Sequence, residues 1–125
     1  MHVDPQGNIY VVEYGSKRVQ KYPPGNSVGI TVAGERIEGQ TSSHLVFPHG
    51  LFVDAEGNVY VTDSHYDRVQ KWAPGATEGV IVAGGKGPGN AAFQLTEPTG
   101  IFVDEKGYIY VADSGNARVQ RWRQE

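Results

Sequence analysis

Short apolar runs separated by turn residues fill this chain. In the middle stretch, residues 51–53 are apolar and lead into Asp-Ala-Glu-Gly, in which Asp and Gly occupy the positions favoured in a tight hairpin turn. Residues 58–62 are β-branched and aromatic, which predicts a strand. The apolar residues of this strand fall on both alternating faces, so we expect both faces of its sheet to be covered.

Two more strands follow in the same stretch. A turn at residues 63–67 precedes a half-polar strand at residues 68–72, which we expect to be more exposed than the strand before it. Pro74 and Gly75 then end this strand. A fourth apolar run at residues 79–83 is followed by a pair of glycines. No window keeps the 3.6-residue apolar period of an amphipathic helix, so the pattern predicts four antiparallel strands.

The whole unit is repeated at an even spacing. GLFVDAEGNVYVTDSHYDRVQKW begins at Gly50, GIFVDEKGYIYVADSGNARVQRW begins at Gly100, and a third copy starts part-way in, at Val3. Residues 3–34 and 53–84 are identical at about 16 of 32 positions, which indicates a true internal repeat. Four antiparallel strands rebuilt at a fixed period are typical of the blades of a β-propeller, so we predict an all-β propeller fold.

The repeat divides the chain into three blades. We expect a first blade at residues 1–34 with a truncated inner strand, and a complete second blade with its preceding linker at residues 35–84. A third blade at residues 85–125 would lack its outer strand. Each linker finishes on Pro followed two residues later by Gly, and this glycine allows neighbouring backbones to crowd near the central axis.

Three blades do not close a ring. The blade sides at the two ends should therefore expose apolar residues such as Val11, Ile109 and Val111. Two explanations stay open: the chain is a piece of a longer product, or two copies associate as a homodimer and complete six blades.

The composition excludes several classes of function. The 125 residues are 38% hydrophobic and 20% charged, with a net charge of −3 that argues against a general binder of nucleic acid or membrane surfaces. Cysteine is absent, which excludes disulfides, thiolate metal sites and a cysteine nucleophile. No apolar run approaches the ~18 residues of a membrane span, and the first residues lack the apolar region of a signal peptide. These features indicate a soluble segment of undetermined compartment.

The repeat closely resembles the NHL-repeat family. The resemblance is carried by PHGLFVDAEGNVYVTDS and PTGIFVDEKGYIYVADS, each followed by RVQKW or RVQRW, and it covers nearly the whole chain. It implies a β-propeller, usually six-bladed, whose relatives bind proteins, RNA or small ligands and are enzymes only in a minority of cases. The resemblance therefore names a scaffold, and the function has to be argued from a site.

Alternating strand direction places the second-to-third-strand turns, the linkers and the starts of the inner strands on one face. A ligand entering the central funnel there would meet a small set of polar and aromatic side chains. The candidate binding residues are Tyr14, His49, His65, Tyr66, Thr99 and Asn116. His65 and Tyr66 form a candidate protein-contact patch, because Tyr is favoured in binding surfaces, although exposed loop aromatics also occur without function.

An acidic residue and an arginine flank the same turn in every repeat. The pairs are Glu13 with Arg18, Asp63 with Arg68, and Asp113 with Arg118. A ring of charge for a polar ligand is one interpretation. The other is structural: each carboxylate accepts N–H groups of its turn while the arginine bridges back across the hairpin. Recurrence in every blade favours the structural interpretation.

His49 departs from the repeat, since Thr99 holds its position in the third blade. The segment PHGLFVD resembles the zinc-histidine segment of the peptidyl-hydroxyglycine lyase domain, a related six-bladed propeller, which implies a histidine ligand at His49. A zinc site needs three or four ligands, and this sequence shows one, so no metal or other cofactor is expected. His2, His44 and His65 lie in loops or at the terminus and are expected to be solvated.

Trp72, Trp122 and Tyr22 share one repeat position, which favours a role in packing the outer part of each blade over stacking on RNA bases. The sequence thus predicts a non-catalytic binding or scaffold module for protein partners. The alternatives are a lyase- or lactonase-like propeller enzyme with a metal in the funnel, and an RNA-binding module.

Overall fold

Three antiparallel sheets, one per repeat, make up the computed structural model, which describes residues 1–13, 15–34, 45, 47–76 and 78–124. The strands of the first two blades are β1 (His2–Val3), β2 (Ile9–Glu13), β3 (Arg18–Tyr22), β4 (Ile30–Gly34), β5 (Pro48–Val53), β6 (Val59–Asp63), β7 (Arg68–Trp72) and β8 (Val80–Gly84). The third blade consists of β9 (Pro98–Val103), β10 (Ile109–Asp113) and β11 (Arg118–Trp122), with a 3₁₀ turn at Ser114–Asn116.

Each sheet follows chain order. The first two run β1-β2-β3-β4 and β5-β6-β7-β8, while the third has three strands, β9-β10-β11, among the described residues. Every neighbouring pair is antiparallel, and the same one-residue irregularity recurs where β3 meets β4 and where β7 meets β8. The predicted all-β architecture is confirmed.

The Asp-x-x-Gly hairpins form as the sequence predicts. In the second blade the Asp54 carboxylate accepts the N–H groups of Glu56 at 3.1 Å and Asn58 at 2.8 Å, and Tyr60 donates its hydroxyl to the same side chain. Gly57 adopts φ of 87°, the left-handed region that glycine enters without a Cβ penalty. This turn fixes the register in which β5 pairs with β6.

The core lies between the blades. One cluster joins Tyr10 and Val19 of the first blade to Val59, Val61 and other residues of the second. A second cluster joins the second blade to the third, and its buried members are Tyr60, Val69, Ala83, Leu95, Val103, Ile109 and Val111. All five residues of β6 are buried, so the expectation that both faces of this strand are covered is confirmed.

The prediction that Ile109 and Val111 are exposed is wrong, because burial alternates along β10. Ile109 and Val111 are fully buried rather than exposed, because the odd-numbered residues of this strand face the second blade. The residues that the third blade leaves uncovered are instead Phe102 and Val119. Val11, on the first blade, is partly exposed as expected.

The strand β7 is also less exposed than predicted. Four of its five residues are buried, including Arg68 and Gln70. These polar residues are buried because Arg68 is paired with Asp63 and because each face of the middle blade packs against a neighbouring blade.

Near the axis, the inner strands of the second and third blades nearly touch. A Cβ added at Gly50 would collide with the carbonyl oxygen of Thr99, so only glycine fits this position. The Thr62 hydroxyl completes the contact, accepting the Gly50 N–H at 2.7 Å and donating to the Thr99 carbonyl at 2.9 Å. The expected role of this glycine is confirmed.

Candidate functional site

The linkers end beside the second-to-third-strand turns. Phe47 N–H donates to the Asp63 carboxylate at 2.9 Å, and the Ser64 hydroxyl donates to the Phe47 carbonyl at 3.2 Å. In the third blade Thr96 N–H donates to Asp113 at 2.6 Å. These bonds hold linker ends and turns together at one end of the blades, which we call the funnel face.

Three rings meet on the funnel face of the second blade. The His65 ring lies 5.4 Å from the Phe47 ring and 4.8 Å from the Tyr66 ring, in edge-on geometry in both cases. Lys17, from the first blade, places its Nζ 4.9 Å from the Phe47 centroid, and Arg68 lies 5.3 Å from the Tyr66 ring. We call Phe47, His65 and Tyr66 the aromatic cluster. Cations over ring faces hold such rings in place.

A cleft of about 440 Å³ opens beside this cluster, between the second blade and the linker that leads into the third. Its lining residues are Phe47, Ser64, His65, Asp67, Pro88, Thr96 and Glu97. Glu97 adopts a left-handed backbone, with φ of 49°, and Asp67 Oδ1 accepts its N–H at 2.8 Å. With two carboxylates and aromatic edges, the cleft suits a ligand group that is cationic, aromatic or both.

The predicted site residues do not all converge. His65 and Tyr66 belong to the aromatic cluster, while His49 is exposed on β5. Thr99 shares a 2.5 Å hydrogen bond with Ser114. Asn116 donates its amide to the Gly89 carbonyl at 2.7 Å and to Asp113 at 3.0 Å, which ties the linker to the turn. Tyr14 and His44 lie outside the described residues.

Phe47 was missed by the sequence interpretation. One signal could have found it: Glu97 stands at the equivalent position in the third blade, so Phe47 departs from the repeat as His49 does. Among the described histidines, aspartates and glutamates, no group of three gathers where a metal ion could be held.

The acidic–arginine pairs bridge their hairpins in all three blades. Arg68 contacts Asp63 at 3.0 Å with both side chains buried, Arg118 contacts Asp113 at 2.7 Å, and the Arg18–Glu13 pair is partly exposed. Asp113 accepts the side-chain N–H of Asn116 from its own turn, as expected. Asp63 and Asp113 also accept backbone N–H groups that were not expected, from Phe47 and Thr96 at the linker ends.

Asp113 shows the electrostatic consequence. Burial alone would raise the pKa of Asp113, but hydrogen bonds from Asn116, the Thr96 N–H and Arg118 more than offset it and hold that pKa below its ordinary value. The carboxylate therefore stays ionised as a structural clamp.

The opposite end of the blades holds a row of rings at repeat-equivalent positions. The His2 ring lies 5.2 Å from Phe52, and Phe52 lies 5.1 Å from Phe102. His2 is thus partly buried rather than solvated as expected, and burial lowers the pKa of His2. A larger cavity of about 910 Å³ opens at this end, bordered by Phe52, Phe102 and the acidic hairpin turns.

Trp72 is fully buried between the first two blades, and Trp122 packs against the second. In the residues that the structure describes, no helix has the length and apolar character needed to cross a bilayer.

Comparison with known proteins places the repeat in a family. The family model described as SMP-30/gluconolactonase/LRE-like region matches residues 1–125. The chain belongs to this family. No curated protein matched the chain.

Several solved structures share the fold of this chain. An auxiliary nutrient binding protein from Bacteroides ovatus matches with a TM-score of 0.76 and 19% identity over 98% of this chain and 36% of its own. A catalytically inactive virginiamycin B lyase from Staphylococcus aureus, solved with quinupristin, matches with a TM-score of 0.66 and 11% identity over 97% of this chain and 36% of its own. A streptogramin B lyase matches with a TM-score of 0.65 and 16% identity over 99% of this chain and 38% of its own. The predicted β-propeller is confirmed, and this chain spans about a third of each matched protein.

Proposed function

We propose that this chain is a non-catalytic propeller segment of NHL type that acts as a binding and scaffold module for protein partners. The aromatic cluster and the cleft beside it carry the proposal. Phe47, His65 and Tyr66 are held edge to edge on the funnel face, which lowers the entropy lost when a partner orders them. Aromatic residues presented in this way are characteristic of binding surfaces.

The chemistry of the cleft suggests the partner. Asp67 and Glu97 supply carboxylates next to the ring of His65, so a segment bearing a lysine or arginine beside an aromatic residue would match the cleft. The net charge of −3 attracts basic segments and disfavours RNA. The nutrient binding protein among the structural relatives supports binding as a use of this fold.

A peptide library tests this directly. The probe is a set of hexapeptides that each contain Lys and Trp, titrated into isotope-labelled protein and followed by backbone amide shifts. We expect saturable shifts at residues 63–67 and 95–97, weakened when Glu replaces Lys in the same peptides. The His65→Ala/Tyr66→Ala double variant should lose binding, whereas Phe93→Ala, which removes an exposed aromatic residue elsewhere, should retain it. Equal binding by the double variant would refute the assignment.

We further propose that two copies complete a six-bladed ring. Val119, on the free face of the third blade, is 69% exposed, while its equivalents Val19 and Val69 are fully buried by the following blade. On the free face of the first blade, Ile9 is 38% exposed, whereas its equivalent Ile109 is fully buried. Each free face therefore presents the residues that its counterpart packs against within the chain, which favours a head-to-tail contact between copies.

The mass in solution tests the ring. A dimer has a mass of roughly 27 kDa, twice the 13.6 kDa of the chain. Val119→Asp should shift the protein to a monomer, because a carboxylate would be buried without a partner. Val28→Asp is the matched control: Val28 is 70% exposed and lies in the connection between β3 and β4, outside the strands, so this variant should remain a dimer. A monomeric wild-type chain would contradict the proposal.

A propeller enzyme is the second candidate function. The family name includes a gluconolactonase, and two lyases share the fold. This candidate predicts stoichiometric zinc or calcium after purification that is lost in a His49→Ala variant. Metal-free protein with retained peptide binding would leave the binding module as the function.

A further inference from the structure

Asp67 is a buried carboxylate in the cleft beside the aromatic cluster. It is only 7% exposed, yet it lines the cleft. Its Oδ1 accepts the Glu97 N–H at 2.8 Å. Among the described residues the other oxygen, Oδ2, has neither a hydrogen-bond donor nor an ion-pair partner. Burying a charge in this state carries a desolvation cost that one backbone hydrogen bond offsets only in part.

The cation next to Asp67 in the chain is committed elsewhere. Arg68 pairs with Asp63 at 3.0 Å, and its guanidinium lies 5.3 Å from the Tyr66 ring. A ligand that carries positive charge into the cleft would therefore supply a counter-ion that the described part of the chain does not provide for Asp67.

At the junction of the first two blades, an ammonium group occupies this place in the repeat. Lys17 holds the position of Asp67 in the first blade, and both residues have a left-handed backbone, with φ of 56° and 53°. The Lys17 Nζ lies 4.9 Å from the centroid of the Phe47 ring, at the end of the linker into the second blade. At the next junction the same two repeat positions hold Asp67 and Glu97. An ammonium–aromatic pair is thus replaced by two carboxylates that line one cleft, an arrangement that a cation stabilises.

The number of open carboxylate oxygens discriminates between the two basic side chains. A guanidinium binds a carboxylate best through two parallel N–H···O bonds, one to each oxygen. In Asp67 the Glu97 N–H already engages Oδ1, so only Oδ2 is open. An ammonium is a compact point charge with three donors, and a single oxygen of each carboxylate is enough to bind it.

The walls of the cleft suit the rest of a lysine side chain. Phe47 and Pro88 supply apolar surface in the same cleft as the carboxylates. A lysine buries its methylene stem along such surface while its charged end reaches a polar partner. Glu97 is exposed whereas Asp67 is buried, so the cleft has an outer and an inner carboxylate.

We infer that the cleft selects a lysine side chain of the partner over an arginine, and that Asp67 is the residue that determines this choice. The inference rests on the proposed function, since it requires that a protein partner occupies the cleft. The lysine ammonium donates to Asp67 Oδ2 and to the Glu97 carboxylate, and its stem lies against Phe47 and Pro88.

Three matched hexapeptides test the selectivity. They have blocked termini, one tryptophan and one variable position that holds Lys, Arg or Nε-acetyl-lysine, so that the variable side chain supplies the only charge. Titrated into the full chain, the lysine peptide should bind at least about fivefold more tightly than the arginine peptide. The acetyl-lysine peptide, which lacks the positive charge, should bind at least about tenfold more weakly than the lysine peptide.

The Asp67→Asn variant removes the charge and keeps an oxygen for the Glu97 N–H. We expect it to bind the lysine and arginine peptides equally, with at least about tenfold lower affinity for the lysine peptide than wild type. Its urea unfolding midpoint should equal or exceed that of wild type, because an unpaired buried charge has been removed. Glu56→Gln is the matched control: it removes one exposed carboxylate from a hairpin turn and should retain wild-type affinity for the lysine peptide.

The outcomes separate the inference from the proposed function. Equal binding of the lysine and arginine peptides to wild type would overturn the inference and leave the proposed function standing. Retained lysine selectivity in Asp67→Asn would also overturn it, and so would a lower urea midpoint for that variant, which would make the Asp67 carboxylate a structural group. Failure of all three peptides to bind would refute the proposed binding function and the inference with it.

Discussion

The hydroxyl of Thr62 donates a 2.9 Å hydrogen bond to the carbonyl oxygen of Thr99 and so ties the inner strand of the third blade to the second blade. Thr62 is fully buried and also accepts the Gly50 N–H. Val12 and Ala112 hold the equivalent positions in the other blades and have no hydroxyl, so this contact is particular to one blade junction.

Replacing Thr62 by valine tests that junction. The change preserves shape but leaves the Gly50 N–H and the Thr99 carbonyl without their partner, which should lower the free energy of unfolding by about 1–3 kcal/mol. Urea unfolding measures the loss. Thr99→Val is the control, because it keeps the carbonyl that Thr62 contacts; an equal loss in both variants would argue against the hydrogen bond.

Two glycines at the same repeat position should respond differently to alanine. Gly50→Ala places a Cβ against the Thr99 carbonyl and should cost about 1–3 kcal/mol of stability through overpacking. In Gly100→Ala the new Cβ meets only the Ala112 Cβ, at 3.4 Å, and the change should be within about 0.5 kcal/mol. Thermal and urea unfolding of the pair should separate them, and equal effects would contradict the close approach.

The contribution of each acidic–arginine pair to the free energy of unfolding should depend on how deeply the pair is buried. Asp63→Asn leaves the Arg68 charge buried without its counter-ion and should cost about 3–5 kcal/mol. Glu13→Gln removes the equivalent partner of the partly exposed Arg18 and should cost only about 0–1 kcal/mol. If chemical denaturation gave similar losses for both, burial would not be the controlling factor.

Asp113 should make stability depend on acid pH. Its folded pKa is lowered, so its contribution is fully present above the ordinary carboxyl pKa and is lost as the pH falls through the folded value. Unfolding free energies measured from about pH 5 down to pH 2 should therefore fall more steeply for wild type than for Asp113→Asn. Carbon-detected NMR gives an independent check: the Asp113 titration midpoint should rise in Asn116→Ala, which removes one stabilising hydrogen bond.

Local pattern predicted much of the fold. The Asp-x-x-Gly hairpins, the strand positions and the hairpin-bridging arginines all follow from residues within a few positions of one another. The site was less predictable. His65 and Tyr66 were anticipated from loop position, but their neighbour Phe47 comes from a linker 18 residues before His65, and only folding brings the two together. The linker N–H groups on Asp63 and Asp113 are likewise non-local.

Val11 and Val111 separate what the sequence determines from what depends on tertiary packing. Both are valines at the same position of equivalent strands in the repeat, and the sequence alone determines this equivalence. Only the tertiary structure decided their environments: Val111 is fully buried against the second blade, while Val11 remains partly exposed. The reason is physical. Hairpins form through contacts near in sequence, but a blade surface is buried only by the blade that packs on it.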